Sequence, residues 1–411
     1  MVSIEKKILT AILTVIRARR AAPAAKERDL GARSLVPAAP AVVREAQFSD
    51  FTAVTELKRR WGLVPDSLEN WERLWRCNPA LGRMKSGLPI GWVLEAQGRV
   101  VGYLGNISLP YRYGDRTLIA VAASGFVVEP AYRAVSLSLI AAYYRQKSVD
   151  LYLSSTAIEA VGKIARAFKS DPLPQEDYET VLFWVLRPYP FARAVAKKLN
   201  LRPSLAHLGA VLGSLVIGTD KIVQRRWPRR SSTALAVTEI SVSEIGDDFQ
   251  ALWTEKLSEG PRLLADRSPA ALRWHFEIPG DQGTTRVLCC HKSGMLSGYA
   301  VIRSDSNQSD GLRRSLIADL LVKQDDPQVV SALLIAAYHH AKRAGSHTLE
   351  VLGFPQSIRQ VCFQWDPYLR KYPSCPFYYK AADATLHKAL SDSSAWYASP
   401  FDGDATLMPL L

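Results

Sequence analysis

The feature that most constrains this chain is internal: it states one pattern twice. "WERLWRCNPA" at Trp71 to Ala80 returns as "ALRWHFEIPG" at Ala271 to Gly280, each an aromatic-rich helix running into proline, with Trp75 and Trp274 199 residues apart. "QGRVVGYLGNISL" around Gly102 returns as "SGMLSGYAVIRSD" around Gly298, a tight turn feeding a strand that starts Gly-Tyr, at an offset of 196. "ASGFVVEPAYRAVSLSLIAAYYRQ" returns as "IADLLVKQDDPQVVSALLIAAYHH"; Pro130 and Pro327 are 197 apart, and both helices contain Leu-Ile-Ala-Ala-Tyr. Three anchors in one order at nearly one offset define tandem copies at 36–199 and 233–411, with a leader at 1–35 and a connector at 200–232.

Each copy reads as strand, one or two helices, a turn-linked strand pair, a longer strand, helix, strand, helix and a last strand or two. In the first copy the last strand is "YETVLFWVL", and Ser49 and Ser67 are the expected N-caps. This order predicts an α/β unit whose central sheet is mixed and mostly antiparallel, with helices on its faces and one parallel crossover.

Charge separates the units from what flanks them. The chain carries +13, yet residues 1–40 hold +5 and residues 187–230 hold +9, so the folded units are close to neutral and a nucleic-acid groove across the fold is disfavoured. The leader places Ile4, Ile8, Leu9, Ile12, Leu13 and Ile16 on one face among basic residues, which suits a helix docked on the protein or lying on a membrane. The connector's apolar run, Leu205 to Thr219, is shorter than a bilayer span and is flanked by Lys197, Lys198, Arg202 and "KIVQRRWPRR". It is expected as a buried connecting helix or as one resting on an anionic membrane surface. Five cysteines, an odd number without CxxC spacing, indicate neither a disulfide framework nor a zinc site, and a reducing cytosol is the expected compartment. GxxxxGK, GxGxxG, HExxH and GxSxG are all missing, which removes support for kinases, dinucleotide oxidoreductases, zincins and serine hydrolases.

The order of elements, and above all "VVEPAYRAVSLSLIAAYYRQ" followed by a strand, resembles the GNAT acyltransferase superfamily. The resemblance implies two tandem GNAT-like acyl-CoA N-acyltransferase modules and acetyl-CoA or another acyl-CoA as co-substrate, with no metal. It implies that the turn's backbone N–H groups and the following helix N-terminus take the pyrophosphate. The family's turn, Arg/Gln-x-x-Gly-x-Gly/Ala, maps onto Arg133-Ala134-Val135-Ser136-Leu137-Ser138. Both glycines are serines here; each still offers an N–H, and its hydroxyl adds a donor. Val127 or Val128 would give the N–H that polarises the thioester carbonyl. The second copy's "KQDDPQVVSALL" sets Asp325 and Asp326 beside the pyrophosphate position, so coenzyme A is expected in the first copy alone.

Acyl transfer to an amine needs a base and, in many relatives, a tyrosine acid on the helix after the second core strand. Glu129, beside Pro130, is the best-placed carboxylate for the base. Phe168 stands where the tyrosine is expected, and Tyr178 is the substitute acid. All seven histidines, from His207 to His387, follow the first copy, so that copy alone builds no His-dependent triad. "WYASPFDGDATL" carries an Asp402-Gly403 turn, read as a hairpin or as the bearer of a substrate-facing Asp404. Similar two-module proteins imply an amino sugar or glycan precursor as acceptor; the cysteines give a cytoplasmic protein, and the basic leader and connector leave open that it is peripheral to the inner membrane. Two other readings stay open: an inactive GNAT-like scaffold at the membrane, and a Fem-type transferase drawing on aminoacyl-tRNA through the basic 187–230 arm.

Overall fold

A computed structural model describes residues 39–80, 87–156, 159–198, 203–228, 235–281, 283–304, 311–371 and 377–407; the leader at 1–35 lies outside them. The first half runs β1 (Val42–Glu45), α1 (Phe51–Arg60), α2 (Leu68–Trp75), β2 (Gly91–Ala96), β3 (Arg99–Tyr113), β4 (Arg116–Val128), α3 (Leu137–Tyr144), β5 (Leu151–Ser154), α4 (Glu159–Ala167), β6 (Asp171–Pro172) and β7 (Thr180–Val185). Helices α5 (Pro188–Lys198) and α6 (Pro203–Val223) lead to the second half. This runs β8 (Val237–Ile240), α7 (Asp247–Ser258), β9 (Leu263–Ala265), α8 (Pro269–Phe276), β10 (Thr285–Lys292), β11 (Met295–Ser304), β12 (Arg314–Val322), α9 (Pro327–Arg343), β13 (Thr348–Val351), α10 (Gln356–Phe363), β14 (Tyr368–Lys371), β15 (Tyr378–Ala381) and α11 (Ala384–Leu390).

Ser67 caps α2 as expected, its hydroxyl accepting from Asn70 N. Ser49 does not cap α1. Residues Phe48–Asp50 form a 3-10 turn in which Gln47 N donates to the Asp50 carboxylate at 2.8 Å, and Asp50 also receives Arg44. With its carboxylate turned back onto the Gln47 amide and Arg44, Asp50 stands at the start of α1 and gives that helix no side-chain cap either.

The strands make two mixed, mostly antiparallel sheets. One has the order β1-β2-β3-β4-β5-β15-β6, with β9 also on β3; the other has β14-β7-β13-β12-β11-β10-β8. Each holds a single parallel pair among the described residues, β4 with β5 and β12 with β13. The repeat is visible in register. Gly102 faces Val128 and Gly298 faces Val322, each valine closing the strand before the crossover helix. A Cβ on Gly102 would lie 3.3 Å from Leu139 of α3, and one on Gly298 would lie 2.9 Å from Val329 of α9. The paired Gly-Tyr starts are therefore where a helix comes down onto a strand.

One expectation is corrected. "YETVLFWVL" forms β7, but β7 joins the second sheet, antiparallel to β13 and β14. In return β15 of the second half lies against β5 and β6 in the first sheet. The halves thus exchange strands, and β9 adds to the exchange by pairing Leu263–Ala265 with Tyr111–Tyr113. Alternation along β7 still buries Leu182 and Trp184 in the core of the second sheet with Leu349 and Val351. A strand's own pattern specifies its faces and leaves its partner unspecified. One continuous core joins the halves, taking in Ile107, Leu151 and Trp71 from the first and Phe249, Tyr299 and Tyr397 from the second. At its middle the two repeated helices meet: Trp274 Nε1 donates to Arg73 O at 2.8 Å, and the Arg73 guanidinium donates to Trp274 O.

Candidate active site at the opening between two strands

The parallel ladder between β4 and β5 covers Ala120, Val121 and Ala122 against Leu151, Tyr152 and Leu153, then stops. From Ala123 to Val128, β4 continues with no strand paired to it on that side among the described residues, still paired to β3 on the other. The result is a fork with strand backbone along one wall, a place for a ligand that hydrogen-bonds like a strand.

Two local devices shape the cleft. The β3–β4 register slips between Tyr103 and Gly105, so Gly125 and Phe126 oppose Leu104 alone. Gly125 sits in the left-handed region at φ +64°, as a bulge glycine does. At the point where the strands part, Tyr143 of α3 is fully buried. Its hydroxyl lies 2.9 Å from Val121 O and 3.0 Å from Leu153 O, and it accepts from Leu153 N at 3.2 Å. One side chain thus ties both strands at the fork, while burial raises its pKa well above the usual phenol value.

The segment Trp396–Leu407 crosses the inner end of this cleft. Ser155, just past β5, donates to Asp404 Oδ1 at 2.7 Å and accepts from Asp404 N at 3.1 Å; Thr156 donates to both carboxylate oxygens at 2.9 and 3.1 Å. Burial raises the Asp404 pKa, against hydroxyl hydrogen bonds from Ser155, Thr156 and Ser124 that oppose the rise. Gly403 is required by this approach: at φ +120°, a Cβ would stand 2.2 Å from Ser155 Oγ. Sequence reading reached Asp404 as one of two options; Ser155 and Thr156 carry no motif and lie 249 and 248 residues from it.

Beside the bulge, Lys58 and Asp66 form a buried ion pair at 2.7 Å, and Asp66 accepts from Asn70 at 3.0 Å. The Lys58 ammonium lies 5.3 Å from the Tyr103 ring centroid, and a Cβ on Gly125 would lie 3.0 Å from its Nζ. The Tyr103 hydroxyl is buried with no hydrogen-bond partner among the described residues, an arrangement that calls for a polar ligand or water.

The residues expected from sequence fall around the cleft with different fates. Val127 and Val128 end β4 on the open wall. Glu129 follows, but Arg99 reaches its two oxygens at 2.6 and 3.0 Å and Arg60 reaches one at 2.8 Å. Pro130–Val135 form a 3-10 helix leading into α3, so its amides are largely turned onto its own carbonyls. Ser136 Oγ donates to Arg133 O at 2.7 Å and Ser138 Oγ to Val135 O at 2.5 Å; the hydroxyls brace the turn where glycines would leave it open. Arg133 is exposed beside exposed Ala134, Val135, Leu137 and Ser138, and among the described residues it enters no ion pair. This turn thus offers an anion one exposed guanidinium and the start of α3. Tyr178 is elsewhere: buried in the shared core, its hydroxyl donates to Ser399 O at 3.3 Å.

The second half repeats the fork and fills it. The β12–β13 ladder ends after Arg314, Ser315 and Leu316. Alongside the freed strand, Arg267, wholly buried, bonds Asp319 at 3.0 Å and Asp402 at 3.0 Å, Tyr299 donates to Asp319 at 2.8 Å, and Tyr397 donates to Leu320 O at 2.8 Å. In the following turn, Asp325 receives Lys256 at 2.7 Å and Arg262 at 2.9 Å, and these neighbours hold its pKa below the usual carboxylate value despite burial.

No protein-family model matches this chain, and no curated protein sequence matches it. Solved structures do. A GCN5-related N-acetyltransferase from Anabaena variabilis is 10% identical with a TM-score of 0.54, over 84% of this chain and 73% of that one. An Enterococcus faecalis protein described as a probable N-acyltransferase is 8% identical with a TM-score of 0.52, over 83% and 73%. The Saccharomyces cerevisiae N-myristoyltransferase, solved with bound myristoyl-CoA, is 13% identical with a TM-score of 0.52, over 88% and 84%. At such identities the likeness is one of fold: this chain has a tandem GNAT-like α/β fold, that of acyl-CoA N-acyltransferases.

Proposed function

Proceeding from that fold, we propose that the chain is an acyl-CoA-dependent N-acyltransferase whose chemistry takes place in the β4–β5 cleft. One observation carries the reading: the ladder stops after Ala122 and Leu153, leaving free strand backbone that leads straight to an exposed turn bearing Arg133. In this reading the pantetheine arm pairs with Ala123–Val128, Arg133 meets the pyrophosphate, and an N–H of Val127 or Val128 polarises the thioester carbonyl.

The amine attacks that carbon, the C–N bond forms, the C–S bond breaks, and coenzyme A leaves as the thiolate. We assign the amine's proton to Asp404, the carboxylate held at the fork by Ser155 and Thr156, whose burial favours its protonated form. Glu129 is less available, being held by Arg60 and Arg99, and serves to brace the end of β4. Protonation of the leaving thiolate falls to solvent in this scheme, because the Tyr178 hydroxyl is committed to Ser399 O. The buried Lys58–Asp66 pair and the Tyr103 hydroxyl, without a partner among the described residues, supply polar groups beside the fork for the acceptor. Such polar groups are consistent with an amino sugar or glycan precursor.

Calorimetry with acetyl-CoA and longer acyl-CoAs tests the reading. Binding to wild type and its loss in Ser136→Glu, which sets a charge against the pyrophosphate, is the expected result. No binding of any acyl-CoA at millimolar concentration would sink it.

A further inference from the structure

Helix α6 was expected either buried or at a membrane, and the structure decides against burial. Among its described side chains, Ala210, Ile217 and Asp220 are buried. Ala210 and Ile217 pack with Val185 and Ala192, beside Phe183 and Tyr368. The opposite face presents Leu208, Val211, Leu212, Leu215, Val216, Ile222 and Val223, each from 38% to 69% exposed. Spacings of three and four residues run the apolar stripe from Leu208 to Val216, and a seven-residue step past exposed Thr219 brings Ile222 and Val223 onto the same face. The window Ala206–Val223 is long and apolar enough to cross a membrane, but a helix packed on its own protein along one side lies along a surface instead of crossing it.

A second feature lies at the C-terminal end of the helix, on the side that packs on the protein, where Lys221 follows buried Ile217 by four residues. A recess of about 280 Å³ is lined by Lys221, Trp227, Pro228, Tyr338, His339 and Lys342. Its two ammoniums oppose each other: burial, and then Lys342, push Lys221 down to about 8. The Lys221 ammonium donates to Val185 O at 2.9 Å and stands 5.5 Å from the Tyr338 ring centroid. Among the described residues no carboxylate lines the recess, and the 187–230 segment, which holds Lys221, carries +9 by sequence. An anion between the lysines would relieve their repulsion.

We propose that the exposed face of α6 docks on an anionic lipid bilayer, the apolar stripe entering the interface and the Lys221–Lys342 recess receiving a lipid phosphate. Charge selects the occupant, since an exposed apolar stripe with a cationic, aromatic-walled recess on the helix side behind it sets basic groups above an apolar face, the order of phosphate headgroup and acyl chain in a bilayer. A second copy of this chain would bring the same positive segment against itself.

The test is cosedimentation of the full chain with phosphatidylcholine vesicles, with and without phosphatidylglycerol. Binding is expected to the anionic vesicles alone and to weaken with salt. The exposed double substitution Leu212→Asp/Leu215→Asp should cost ~tenfold or more in vesicle affinity, and Lys342→Glu ~fivefold, with circular dichroism and thermal melting unchanged. Inorganic phosphate at matched ionic strength should not displace the protein. Equal binding to neutral vesicles, binding indifferent to the double substitution, or displacement by phosphate would each overturn the proposal. So would a concentration-dependent dimer, seen by sedimentation, that the double substitution abolishes in the absence of vesicle binding.

Discussion

The two forks of this molecule are built alike and used differently. In both, a parallel ladder ends after three residue pairs, a glycine lets the crossover helix sit on the neighbouring strand, and a proline opens a helical segment after the strand, 3-10 at Pro130 and α at Pro327. In the second, the chain closes the gap with its own groups: Arg267 between Asp319 and Asp402 inside, and Asp325 between Lys256 and Arg262 at the turn. Where an incoming phosphate would find cations, fixed carboxylates already hold them. In the first, Arg133 enters no ion pair among the described residues, and Asp404 is held by hydroxyls instead of by a cation. Duplication supplied two forks, and the placement of charge separates one closed by buried ion pairs from one that is not.

The contrast can be broken at several points. Arg267→Met leaves Asp319 and Asp402 buried without their cation and should lower unfolding free energy by ~3–5 kcal/mol in urea titration. If the loss is below 1 kcal/mol, the second fork is not held by charge. Asp404→Asn should reduce acyl transfer to the best amine by ~10²-fold while acyl-CoA affinity measured by calorimetry stays the same; unchanged turnover would remove Asp404 from the chemistry.

The same variant sharpens the comparison through pH. The native Asp404 pKa is raised, so the folded state binds the proton more tightly than the unfolded chain. The stability this gives is present below the unfolded carboxyl value and is lost as pH rises through the folded one. A neutral asparagine escapes that loss. Asp404→Asn should therefore melt above wild type at neutral pH and draw level in acid, the pattern of a group kept for activity at some expense of stability.

A smaller effect concerns the paired tyrosines. Tyr143→Phe strips the fork of a bridge and leaves Leu153 N without its acceptor, for ~1–3 kcal/mol. Tyr338→Phe, at the matching place in the second repeat but lining the recess, should stay within ~0.5 kcal/mol. Equal costs would mean that the first fork is not pinned at Tyr143.

Sequence order made the repeat, most elements and the position of the first cleft legible, because each rests on local periodicity, prolines and glycines. It did not show where β7 and β15 would pair, since both strands carry ordinary alternation and their partners are set by three-dimensional closure. The site divides the same way. Arg133 and the valines of β4 are adjacent in the chain and were readable. Asp404 meets Ser155 and Thr156 only after both halves have folded. Glu129 was found by its place at a strand's end, but Arg60, 69 residues away, and Arg99 decide what it can do.

The strand exchange also bears on how the protein is made. Strand β5 gains its outer neighbour only when Tyr378–Ala381 have been synthesised, more than two hundred residues after β5 itself. At ribosomal speeds of ~5–20 residues per second, that edge waits on the order of ten seconds or longer with its backbone unpaired. A nascent chain in this state is a substrate for holding chaperones and a template for mispairing with neighbours on a polysome. Yield in cells should then respond to translation rate and to chaperone supply, even for variants whose finished stability is unchanged.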